Sequence, residues 1–157
     1  MFERQVTIQT LPAQEAYAVE HRGDYMGIGA AFGALVQWAG LHGLLVPQTR
    51  WIGVFHDNPD VVPAAQLRSQ ACIVPPVATA DATPPVLRIT LRGGDYAVLR
   101  HSGPYPEMKE AYRWLYREWL PRSGRGGADA PPFELYVNMP GTTAPEDLLT
   151  DIHVPLR

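Results

Sequence analysis

Pro132-Phe133-Glu134-Leu135-Tyr136-Val137-Asn138 reads as a short strand, rich in aromatic and branched residues and bounded by prolines. Successive side chains on a strand point to opposite faces. Phe133, Leu135 and Val137 therefore share one face, and Glu134, Tyr136 and Asn138 share the other. The first face is core. The second sets a carboxylate beside a phenol within an otherwise apolar element. Carboxylates are rarely buried without a partner, so Glu134 either lies on a solvated strand face or lines a site. Alternation alone does not choose between the two.

Working outward, the chain of 157 residues is long enough for one domain or two small fused halves. Its 16 prolines and 14 glycines favour many short, punctuated elements over long helices. The net charge of -3, with no basic run, offers nothing to hold nucleic acid. Cys72 is the single cysteine, which excludes an internal disulfide and fits a reducing, cytoplasmic setting. The N-terminal MFERQVTIQT has no basic segment followed by an apolar run, so no signal peptide is expected. No apolar stretch reaches the roughly 18 residues a membrane span requires.

Strands are expected at 6–10, 16–21, 51–55 and 70–74, with a helix over 26–45 between the second and third. A proline- and alanine-rich link over 75–85 is the best boundary. Beyond it the same order returns: strands at 86–91 and 96–100, paired around Gly93-Gly94-Asp95, a helix over 107–120 stopped by Pro121, and strands at 133–138 and 151–155. The halves superimpose with an offset of about 80 residues, the signature of an internal repeat. His21-Arg22-Gly23-Asp24-Tyr25 lies over His101-Ser102-Gly103-Pro104-Tyr105, Phe32 over Tyr112, Phe55 over Tyr136, and Gly53 over Glu134. The expected fold is α+β: one domain over 1–157, built of pseudo-repeats 1–78 and 84–157. Each is a strand-helix-strand-strand module with an antiparallel sheet, and a central ligand cleft lies along their join. If the faces carrying Trp51, Phe55, Glu134 and Tyr136 line that join, the site is concave and aromatic with a single placed charge, as small-molecule pockets usually are.

These features resemble a family. The GDY and SGPY turns, each leading into a helix, the WIGVFHDNP and PPFELYVNMP strands and the closing LLTDIHVPL are similar to the gyrase-inhibitor-like small-molecule-binding domain. That domain also serves as the effector-binding domain of AraC- and MerR-type multidrug-responsive regulators. The resemblance covers essentially the whole chain. It implies a central cavity and a ligand-contacting glutamate, here Glu134, with pocket aromatics at Trp51, Phe55, Tyr136, Tyr112 and Trp119. The regulators carry a helix-turn-helix domain before this one; here the chain opens on the first strand, so the expectation is a stand-alone binder. Stand-alone members are implicated as gyrase inhibitors or as hydrolases of cyclopropane-bearing genotoxins.

Three functions follow as expectations. The first is sequestration of lipophilic, cationic or electrophilic compounds. The second is a hydrolase with Glu134 as catalytic acid or base. The third, resting on resemblance alone, is inhibition of DNA gyrase through protein binding. No cofactor is expected: Gly27-Ile28-Gly29-Ala30-Ala31-Phe32-Gly33 is one residue too long for a dinucleotide fingerprint and reads instead as close packing of the helix on the sheet. No metal is expected, because the five histidines lack partners at ligand spacing. Cys72 has no evident base and is expected to be inert. Trp114 lies off the apolar stripe of its helix and is expected to be partly exposed.

Overall fold

The computed structural model describes residues 4–78 and 80–157. Its strands are β1 (Val6–Leu11), β2 (Gln14–Arg22), β3 (Arg50–Phe55), β4 (Arg68–Val74), β5 (Leu87–Leu91), β6 (Gly94–Ser102), β7 (Phe133–Tyr136) and β8 (Leu149–Pro155). They form a single antiparallel sheet of eight in the order β1-β6-β8-β7-β3-β4-β2-β5. The fold is α+β, with two pseudo-symmetric modules joined edge to edge where β3 meets β7.

The register expresses the repeat. Tyr17 pairs with Ile73 on β2 and β4 as Ala97 pairs with Val154 on β6 and β8. The turns match as well, with Gly23 donating to the carbonyl of Leu67 and Gly103 to that of Leu148.

One strand pairing differs from expectation. β5 and β6 do not form a hairpin; β5 pairs with β2 of the first half, and β1 pairs with β6 of the second. The modules thus exchange their first strands. The two short connections, at 12–13 and 92–93, approach each other closely. A Cβ on Gly93 would lie 2.6 Å from the backbone nitrogen of Ala13, so the crossing admits only glycine there.

One face of the sheet buries Ala16, Ala18, Ile52, Val54, Cys72, Tyr96, Val98 and Phe133, with Leu135 against them. Val137, expected on that face, lies beyond the end of β7 and is exposed. Helices cover the opposite face. Helix α1 (Gly29–Leu41) packs Ala31, Leu35, Trp38 and Ala39 on Tyr17, Val19, Ala71 and Ile73. Helix α2 starts as Met108–Trp114, continues through a π-helical turn at Leu115–Trp119 and ends with Leu120–Ser123. It packs on Ala97, Leu99, Ile152 and Val154. Pro121 does not stop α2; the helix ends at Gly124, whose φ of 75° only glycine adopts freely. Trp114 is half-buried beneath the Arg4 guanidinium, 5.7 Å from its ring.

The segment 80–83 of the 75–85 link packs onto the first module. Tyr17 donates to the carbonyl of Ala80 at 2.6 Å, and the Trp38 indole donates to Thr83 Oγ1 at 2.8 Å. Among the described residues no helix is long and apolar enough to cross a membrane.

Candidate functional site

Glu134 sits at the middle of the sheet on its helix-facing side. Ile152 flanks it on β8 and Gly53 on β3. It is only 5% exposed. Two phenols donate to it: Tyr112 of α2 to Oε2 at 2.7 Å, and Tyr136, two residues along β7, to Oε1 at 3.0 Å. Among the described residues no Lys, Arg or His is paired with it. Burial disfavours the charged form and pushes its pKa up to about 7; the two phenol hydrogen bonds oppose that shift without cancelling it. Tyr112 and Tyr136 are themselves held well above the usual phenol range, chiefly by burial and next by the adjacent carboxylate. The result is a buried carboxyl with a raised pKa, held by donors that keep their own protons.

Gly53 is what allows this arrangement. A Cβ there would lie 2.5 Å from the Tyr136 hydroxyl and 3.0 Å from the Phe55 ring. Around the pair, Tyr136 meets Phe32 edge-on at 5.8 Å between centroids and Tyr105 at 5.6 Å. Phe32 also lies 6.4 Å from Trp51, and Tyr25 packs edge-on to Phe55 at 4.9 Å. Phe32, Tyr112, Tyr105, Trp51 and Phe55 are all half-buried. Opposite Tyr136 and Phe55 stand Thr150 and Ser69, equivalent positions of the two halves. Their hydroxyls are buried and find no partner among the described residues.

Glu134, Tyr136, Trp51, Phe55 and Tyr112 thus all belong to the helix-facing surface around the join. Trp119, at the end of the π-helical turn of α2, packs instead against the core around Ala97, Leu99, Ile152 and Val154. Two hollows on the molecule, of about 550 and 290 Å³, are lined by other residues. Two ring residues escaped the sequence reading. Phe32 is the repeat mate of Tyr112, and Tyr105 belongs to the SGPY turn; the repeat itself held the signal for both.

Elsewhere the histidines serve turns. His21 and His101 meet the carbonyls of Asp24 and Pro104 at 2.9 and 3.2 Å. Asp57 holds Arg68 at 2.9 Å. Cys72 is buried, and its thiol is pushed up to about 12. The glycine run around the start of α1 is only partly a packing device. A Cβ on Gly27 would crowd the His21 ring at 3.2 Å, whereas Gly29 and Gly33 face open space.

Comparison with known proteins places this geometry. The family model of the GyrI-like small molecule binding domain matches residues 4–157. A probable transcriptional regulator of Escherichia coli, YgiV, is 28% identical over 152 residues, covering 96% of this chain and 95% of that one. A DNA gyrase inhibitor of Erwinia billingiae is 30% identical over 128 residues, 80% of this chain and 79% of its own. Among solved structures, EcmrR in a complex with DNA superimposes with a TM-score of 0.83 at 16% identity, over 98% of this chain and 57% of EcmrR. A hydrolase from Listeria innocua gives 0.66 at 14%, over 99% and 93%. The SAV2435 protein bound to tetraphenylphosphonium gives 0.60 at 19%, over 99% and 94%.

Proposed function

Because the chain belongs to the GyrI-like small molecule binding domain family, we propose that it binds lipophilic, cationic or electrophilic compounds over Glu134 and sequesters them. One observation carries this reading: a carboxylate buried at the centre of the sheet with phenols on it and, among the described residues, no cation paired with it. Such a charge is costly unless paired. A lipophilic cation supplies the missing charge, and the faces of Tyr136, Trp51 and Tyr112 supply further attraction to it. An exposed ion pair is worth under about 1 kcal/mol; removal from water makes the same pair decisive. The unpartnered hydroxyls of Thr150 and Ser69 are further polar groups available to a ligand. The tetraphenylphosphonium complex of SAV2435, a protein of the same fold, is in keeping with that chemistry.

The test is thermal unfolding of wild type and Glu134→Gln with tetraphenylphosphonium and with neutral triphenylphosphine oxide. At a hundredfold excess over Kd, a ligand adds about 2.7 kcal/mol to the stability of wild type. The cation is expected to do so for wild type alone. Equal shifts in both proteins, or none, would remove the role of Glu134.

A second reading is favoured by the proton chemistry. A carboxyl titrating at about 7, with a phenol 2.7 Å away, is suited to general acid-base opening of a strained electrophile such as a cyclopropane by water. Turnover of such a compound by wild type and not by Glu134→Gln distinguishes catalysis from binding. Action on DNA gyrase rests on the names of relatives and is tested by a supercoiling assay.

A further inference from the structure

Over the buried Glu134 a helix borders a loop of the other half, and such a border is a gap through which a compound could pass. The pseudo-symmetry supplies two such gaps, and the same offset relates their residues. At the first, α2 faces the loop after β3. At the second, α1 faces the loop after β7. Arg113 at the first corresponds to Gly33 at the second, Asp60 to Gly141, Arg117 to Gln37, Tyr112 to Phe32, and Tyr25 to Tyr105.

The first gap is tied shut. Arg113 meets Asp60 at 3.0 Å, and Arg117 approaches the same carboxylate at 4.0 Å. Tyr112 is tethered to Glu134 at 2.7 Å. The Tyr25 hydroxyl donates to the Asp57 carbonyl at 2.6 Å and accepts from the Asp57 amide at 2.9 Å. The second gap carries none of these ties. A Cβ on Gly33 or on Gly141 would meet nothing within 4 Å among the described residues. Phe32 has no hydroxyl and is held by ring contacts alone. The Tyr105 hydroxyl has no hydrogen bond among the described residues, although its ring lies on Tyr136. Five corresponding positions therefore differ in the same sense. The difference also accounts for Gly33, which weakens an exposed turn of α1 without any packing need inside the chain.

We propose that compounds reach Glu134 between α1 and the loop following β7, past Phe32 and Tyr105, while the α2 side is a fixed wall. The proposal rests on Glu134 being the carboxylate that meets the ligand, and it names the route and the moving rings. A wall tied by ion pairs and a mouth kept open by glycines admit bulky apolar cations on one side only.

The route is tested without relying on affinity, by the rate at which a cationic methanethiosulfonate reagent labels Glu134→Cys. Cys72 is buried and adds no signal. Gly33→Arg with Gly141→Asp copies the ion pair into the open gap and is expected to slow labelling by about tenfold or more. Asp60→Ala with Arg113→Ala is expected to change it by less than about twofold. Gly141 has φ 93°, so where that pair fails to fold, Gly33→Trp alone fills the gap. The opposite pattern, no effect of filling the gap, or no labelling in any background overturns the proposal. Equilibrium binding of tetraphenylphosphonium by wild type is scored separately. A protein that never saturates, yet labels in the expected pattern, loses the ligand reading and keeps the route.

Discussion

Gly53 and Glu134 pair directly across the central strands, and they are also each other's counterparts in the repeat. The axis relating the halves therefore passes between them. A faithful repeat would set two acids side by side at this point, where like charges repel and one pKa rises steeply. With glycine on one strand, a single carboxyl occupies the centre, and the space a second side chain would take holds the Tyr136 hydroxyl and the Phe55 ring. The symmetry of the fold is broken where the chemistry sits.

Gly53→Ala should therefore harm the site more than the fold class. The added methyl, 2.5 Å from the Tyr136 hydroxyl, must displace that phenol from Glu134. Overpacking of this kind costs about 1–3 kcal/mol. Thermal unfolding should show that loss, and titration of the Glu134 carboxyl by NMR should show a pKa above the wild-type value, since one lowering hydrogen bond is gone.

The pH dependence of stability has a definite sign. The pKa of Glu134 rises from 4.5 in the unfolded chain to about 7 in the fold. The folded state thus holds the proton more tightly. The associated stability is complete below about pH 4.5 and is lost as pH rises through 7, an amount of roughly 3 kcal/mol. His153 acts in the opposite sense on acidification, because burial lowers its pKa. The quantity to measure is therefore the difference between wild type and Glu134→Gln in urea titrations at pH 5 and pH 8. Glu134→Gln should gain on wild type as pH rises; a constant difference would mean that the carboxyl does not titrate in this range.

The repeat was legible because matching turns and strands kept their spacing, and it made Gly53 and Glu134 counterparts; their direct pairing across β3 and β7 is a tertiary fact that the spacing did not hold. The exchange of first strands was not legible. A two-residue connection containing Gly93 reads as a hairpin, and only the approach of Ala13 to that glycine, a contact between segments 80 residues apart, reveals a crossing. Pro121 misled for a local reason, since α2 passes through a π-helical turn before it. At the site, alternation placed Glu134 and Tyr136 together on β7. Tyr105 was missed although the repeat pairs it with Tyr25, because the ring contact that brings it to the site is tertiary.

Tyr112→Phe removes the shorter of the two hydrogen bonds to Glu134 and leaves Oε2 without its donor. A buried acceptor deprived of its partner costs about 1–3 kcal/mol. That cost falls on the ionised form, so Tyr112→Phe should be destabilising at pH 8 and close to neutral at pH 5 in urea unfolding. If Glu134 acts as an acid or base on a bound electrophile, the same substitution should shift the pH profile of turnover to higher pH. A purely structural role for Tyr112 would lower the rate without moving the profile.

Binding of a cation should expel a proton. A positive charge against Glu134 stabilises the carboxylate and pulls its pKa down from about 7. At pH 6 the free protein would carry about 0.9 proton on this group and at pH 8 about 0.1, so saturating tetraphenylphosphonium should release nearly a full proton at pH 6 and almost none at pH 8. Calorimetric titrations in buffers of different ionisation enthalpy measure this number directly. Glu134→Gln should release none at either pH. A release that persists in Glu134→Gln would locate the titrating group elsewhere, and a release that does not fall between pH 6 and pH 8 would be incompatible with a carboxyl poised near neutrality.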